Sequence, residues 1–141
     1  MPEIGNDAMP RRPQTDNVRS ILIVEDDDTT LDLVAQIVGG AFPAARVREA
    51  ANGRDGLAAC LAMPPDLLIT NVVMPGMSGI ELLKALHAHG PEIPTVITSG
   101  NCTVDRCEQE GVRLGPAMRF VTKPFSAETL TAAARSVMEW S

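Results

Sequence analysis

Apolar positions along this chain fall into two kinds of stretch. The first kind is short and continuous. Ile21-Leu22-Ile23-Val24 is an unbroken, mostly β-branched run, which predicts a strand buried on both faces. Asp66–Asn71, Thr95–Ser99 and Met118–Thr122 predict further strands, and Ala45–Glu49 alternates with charges as an edge strand does. In the second kind, apolar residues recur every three or four positions, the period of a helix with one buried face. Leu31, Val34 and Val38 mark one such stripe. Leu57, Cys60 and Leu61 mark the next, then Ile80, Leu83 and Leu86, then Leu130, Ala133, Ala134 and Val137.

Polar and special residues punctuate these stretches. Asp28 is placed to cap a helix starting near Thr29, and Gly39-Gly40 to stop it. Asn52-Gly53 is a turn signal before the second helix, which Pro64-Pro65 ends. The third helix is expected from about Gly79 to His89. A fourth, over 103–115, has fewer recurring apolar residues and contains Gly111. Ser126 caps the fifth. Five strands thus alternate with five helices through short crossovers, which predicts an α/β fold with a parallel sheet covered on both faces.

Residues 1–17 lack this patterning. They carry three prolines and an Arg11-Arg12 pair, and read as a flexible tail before one domain over 18–141. Composition is that of a globular chain, with 45% hydrophobic and 21% charged residues. No apolar run is long enough to span a bilayer and no signal-type segment opens the chain, so a cytoplasmic protein is expected. The net charge of −6 gives no drive toward nucleic acid. Cys60, Cys102 and Cys107 lack paired metal spacing and read as reduced thiols. His87 and His89 diverge on one helix and cannot share a metal; they suit its last turn.

In a sheet of this kind the carboxyl ends of the central strands lie side by side, and sites form there. Strand one ends in Glu25-Asp26, strand three in Asn71, strand four in Ser99 and strand five in Lys123. Any one of these reads as a loop acid, a strand-end hydroxyl or a surface lysine. Together they place two acids, an amide, a hydroxyl and an ammonium at one sheet edge. Such acids suit Mg²⁺, and the lysine suits phosphate.

Four motifs now stand together: Glu25-Asp26 after strand one, Met74-Pro75-Gly76-Met77-Ser78-Gly79 after strand three, Ser99-Gly100 after strand four, and Lys123-Pro124-Phe125 after strand five. From about Val18 onward the chain resembles the receiver domain of two-component response regulators. The resemblance implies a flavodoxin-like (βα)5 sheet of order 2-1-3-4-5. It implies an aspartate at the end of strand three that accepts phosphate from a phosphohistidine partner, a histidine kinase or histidine phosphotransfer protein. It implies Mg²⁺ held at the strand-three residue, at Asp26 with Glu25 in support, and at the Val73 carbonyl. Ser99 and Lys123 would bind the acyl phosphate, Ser99 and Phe120 would act as a switch, and Lys123-Pro124 would be cis. Output would pass through the face between the fourth and fifth helices to a downstream protein or a second copy, without direct nucleic-acid or membrane contact and without turnover of its own.

One residue departs from that pattern. The phosphoacceptor position holds Asn71. A carboxamide is neutral, its nitrogen lone pair is delocalised, and it cannot form the mixed anhydride. It also removes a carboxylate from the metal site, which should weaken Mg²⁺ binding. Asn71 marks either a natural pseudo-receiver acting as a phosphorylation-independent interaction module, or a substitution that freezes the unphosphorylated state. A reading from another class is a haloacid-dehalogenase-like phosphatase, from Asp26-Asp27-Asp28-Thr29-Thr30; the short chain, without a cap insertion or a late acidic pair, weighs against it.

Overall fold

The computed structural model describes residues 18–89, 92–100, 109 and 117–139. The apolar runs form five strands: β1 (Ser20–Val24), β2 (Arg46–Ala50), β3 (Leu67–Asn71), β4 (Thr95–Ser99) and β5 (Met118–Thr122). All pair in parallel, in the order β2-β1-β3-β4-β5. The described helices are α1 (Asp28–Ala41), α2 (Gly53–Ala62), α3 (Gly79–His89) and α4 (Ala127–Met138). The tail expected over 1–17, Cys102, Cys107 and, apart from Gln109, the helix expected over 103–115 lie outside the described residues. So does the face expected between that helix and the last one.

The strand runs are continuous because helices cover both faces of the sheet. Leu22, Val24, Leu68 and Ile97 pack on one side with Cys60, Ile80, Leu83 and Leu86. Ile21, Ile23, Leu67, Ile69 and Val96 pack on the other with Val34, Val38, Leu130 and Val137. All five β3 residues are buried. Each such aliphatic side chain contributes about 1.5–3 kcal/mol by leaving water, and a one-residue slip of β3 would turn every one of them to the opposite face and break its packing against both helix layers. That fixes the height at which Asn71 emerges.

Three sequence expectations are corrected. Asp27, not Asp28, caps α1: its side chain accepts from the Thr30 amide, and Asp28 is the first helical residue. Gly39-Gly40 do not stop α1, which runs to Ala41 with Phe42 as its C-cap. Val38 and Phe42, one turn apart, are both buried, and that burial outweighs the glycines' poor helix propensity. In α2 the buried stripe is Gly53, Gly56 and Cys60, while Leu61 is exposed. The two small glycines bring the helix close to its neighbours along that line and turn Leu61 outward.

Candidate functional site

Glu25 follows β1 directly and is buried, with only 2% of its surface exposed. A carboxylate at that depth needs partners. Lys123, just beyond β5, supplies one: its Nζ lies 3.0 Å from Glu25 Oε1. The Asp27 amide donates to Oε2 at 3.2 Å. Asp26, the next residue, is exposed at the same edge. Asp27 is committed to its cap, where the Thr30 hydroxyl (2.6 Å) and amide (2.8 Å) hold its carboxyl below the ordinary carboxylate value.

The loop after β3 is shaped by its backbone. The Gly79 amide donates to the Val72 carbonyl at 2.8 Å, closing the turn onto the strand end. A Cβ at Gly79 would lie 2.0 Å from the Asn71 carbonyl oxygen, so only glycine fits. Gly76 has φ 75°, the left-handed region. Ser78 and Glu81 then form a capping box: the Ser78 amide donates to Glu81 Oε1 (2.9 Å) and the Glu81 amide to Ser78 Oγ (3.1 Å). Sequence reading missed this, although Ser-x-x-Glu ahead of an apolar stripe is its signature.

These two loops meet at Asn71. Its Nδ2 donates to the Val73 carbonyl at 2.8 Å, to Glu25 Oε2 at 3.2 Å and to Asp26 Oδ1 at 3.2 Å. Its Oδ1 accepts from Lys123 Nζ at 3.1 Å. The reverse amide orientation would aim two donors at each other and an acceptor at three acceptors, so the hydrogen-bond pattern sets the orientation. Glu25, Asp26, Asn71, the Val73 carbonyl and Lys123 therefore form one connected polar cluster.

The remaining expected residues lie on the neighbouring strand ends. Ser99 is buried at the end of β4, and its carbonyl accepts from the Lys123 amide at 2.9 Å. Phe120 lies deeper on β5, opposite Ile97, and packs against the core on the α3 side. The Lys123–Pro124 peptide is cis. Thr70 turns to the other face of β3 from Asn71 and donates to the Asn71 carbonyl at 3.0 Å. Beyond Asp26 an open cleft of about 500 Å³ runs between the start of α2 and the loop after β3, lined by Asn52, Arg54, Pro75 and Met77 among others.

Residues 21–135 match the response regulator receiver domain. The chain belongs to that family. A sensory transduction protein, RegX3 of Mycolicibacterium smegmatis, is 32% identical over 120 residues, covering 84% of this chain and 50% of its own length. A probable transcriptional regulatory protein, TcrX of Mycobacterium tuberculosis, is 27% identical over 120 residues, 84% of this chain and 49% of its own length. The receiver thus spans about half the length of these curated relatives. Among solved structures, the chemotaxis protein CheY4 of Vibrio cholerae superposes with a TM-score of 0.72 at 29% identity, covering 85% of this chain and 98% of that one.

Receiver domains are chiefly signalling modules, and they interact with histidine kinases or phosphotransfer proteins. They generally bind Mg²⁺ at the acidic pocket. In this receiver Glu25, Asp26 and the Val73 carbonyl supply oxygens of the right kind. The point on which they converge is taken by the Asn71 amide nitrogen, a hydrogen-bearing donor that cannot ligate a cation. Among the described residues no three His, Cys, Asp or Glu side chains gather to hold a metal. The residues as arranged do not fit the ion. No helix among the described residues is long and apolar enough to cross a membrane.

Proposed function

We propose that this receiver belongs to a two-component phosphorelay and is held in the unphosphorylated form, with Asn71 standing where the family carries its phosphoacceptor aspartate. The observation that carries this reading is the position of Asn71: it ends β3 between Glu25-Asp26 and Lys123, with the Ser99 backbone bonded alongside. A phosphoacceptor needs an anionic oxygen to attack phosphorus. The Asn71 oxygen is a neutral amide carbonyl already accepting from Lys123. Ser99, Lys123 and Phe120 keep the places of the phosphate-binding hydroxyl, the phosphate-binding lysine and the switch aromatic. Mg²⁺ binding at Glu25, Asp26 and the Val73 carbonyl is weakened because Asn71 supplies no carboxylate there, and the domain runs over 18–141. The partner is a histidine kinase or histidine phosphotransfer protein that docks without transferring phosphate, and a cytoplasmic location accords with this.

The test is incubation with acetyl phosphate and with a phosphohistidine donor, followed by intact mass. The expected result is no adduct on the chain and one acid-stable, hydroxylamine-sensitive adduct after Asn71→Asp. A phosphate adduct on the unaltered chain would overturn the reading. A second reading, a phosphorylation-independent interaction module, is favoured by the completeness of the Asn71 hydrogen bonding, which leaves the site satisfied without ligand. Partner affinity equal before and after Asn71→Asp and phosphorylation would select it.

A further inference from the structure

The Asn71 side chain faces three acceptors with its nitrogen and one donor with its oxygen. Its two N–H groups are shared among the Glu25 carboxylate, the Asp26 carboxylate and the Val73 carbonyl. These are the oxygens that a divalent cation would gather at this edge. An aspartate at 71 would instead bring an oxygen against three oxygens. With Glu25, Asp26 and Lys123 it would leave a net charge of −2, three carboxylates against one ammonium. With Asn71 the same count gives −1, and the amide hydrogens bridge the two carboxylates that remain.

We infer that the Asn71 amide is a built-in replacement for the divalent cation, competing with it for the same oxygens, so that this receiver's pocket is closed and indifferent to Mg²⁺. This rests on reading the site as a receiver pocket, and it goes beyond a weakened metal site. A weak ligand and a competitor predict opposite outcomes on deletion. If Asn71 were a poor ligand, truncating it would lower Mg²⁺ affinity further. As a competitor, its removal frees Glu25, Asp26 and the Val73 carbonyl. The cation is then spared breaking charge-assisted hydrogen bonds, each enough for about a tenfold change in affinity.

Metal titration of the chain, Asn71→Ala and Asn71→Asp, without any phosphate donor, tests this. The readouts are melting temperature against Mg²⁺ and Mn²⁺-induced broadening of the Glu25, Asp26 and Val73 amide resonances. The unaltered chain should show no melting shift and no site-selective broadening. Asn71→Asp should rise by several degrees with saturating Mg²⁺. Asn71→Ala should bind at least about tenfold more tightly than the unaltered chain. Should Asn71→Ala fail to fold, Asn71→Gly makes the same deletion and is held to the same criterion, with Asn71→Asp as the metal-binding control. Selective broadening or a Mg²⁺-dependent melting rise in the unaltered chain overturns the inference, as does Asn71→Ala binding no better than the chain itself. These outcomes are separate from the phosphate-adduct experiment, which alone bears on the acceptor reading.

Discussion

Four consecutive acids, Glu25 to Asp28, follow β1 and lead into α1, whereas the loop after β3, from Val72 to Ser78, carries no charge at all. The first is organised by what its side chains bond. Glu25 goes inward to Lys123, Asp26 reaches Asn71, Asp27 caps α1 and Asp28 begins it. The second is organised by where its backbone passes: Gly79 lies against the strand end, Gly76 takes a left-handed conformation, and the Val73 carbonyl turns toward Asn71 while 65% of the residue stays exposed. A site of fixed geometry needs both. Charges without a shaped loop find no common point, and a shaped loop without charges has nothing to hold.

Substitutions can separate these two modes. The largest effect is expected in the shape-built loop: Gly79→Ala sets a methyl against the Asn71 carbonyl and should destabilise by about 3 kcal/mol or more, read as a lower urea midpoint at unchanged slope. A loss under about 1 kcal/mol would mean the loop yields easily. Next, Lys123→Ala leaves Glu25 buried without its ammonium and should cost about 2 kcal/mol, less than a fully buried pair because Lys123 is 24% exposed. Adding Glu25→Gln to Lys123→Ala should recover part of that loss in a double-mutant cycle; additivity would deny the coupling. Ser78→Ala removes half of a capping box and should cost about 1 kcal/mol by thermal melt.

The smallest effect is one of pH. The Asp27 carboxyl titrates below its ordinary 3.8 because of the Thr30 hydroxyl and amide. Its ionised form is therefore favoured by folding. The contribution is complete above the ordinary carboxylate value and fades as pH falls through the lowered one. Asp27→Asn should flatten that part of the acid limb of the stability curve, and an unchanged acid limb would remove Asp27 from the account.

The strands were legible because burial on both faces leaves an unmistakable apolar run; β4 and β5 begin and end at the residues expected. Their alternation with helices predicted a parallel sheet, and the strand order came with the receiver resemblance. The errors lie where tertiary contact overrides local preference. Gly39-Gly40 look like a stop, yet the buried Phe42 carries the helix past them. Leu61 looks like core, yet the glycine stripe of α2 takes the inner face. The site's members were legible as strand-end residues, and topology brought Glu25, Asp26, Asn71 and Lys123 together. What Asn71 does among them was not, because that depends on which of its two terminal atoms faces three oxygens. Spacing along a chain carries no such information.

Asparagine and aspartate are nearly the same size and shape, and their codons differ by a single base transition. The glycine-shaped turn leaves room for either residue, but an aspartate oxygen would face the Glu25, Asp26 and Val73 oxygens and call for a cation between them. A gene encoding this receiver therefore stands one point mutation from the acidic form, and the cation that form gathers would offset the added charge. The surrounding architecture conserves an option, and a lineage can take it up or lay it down in one step.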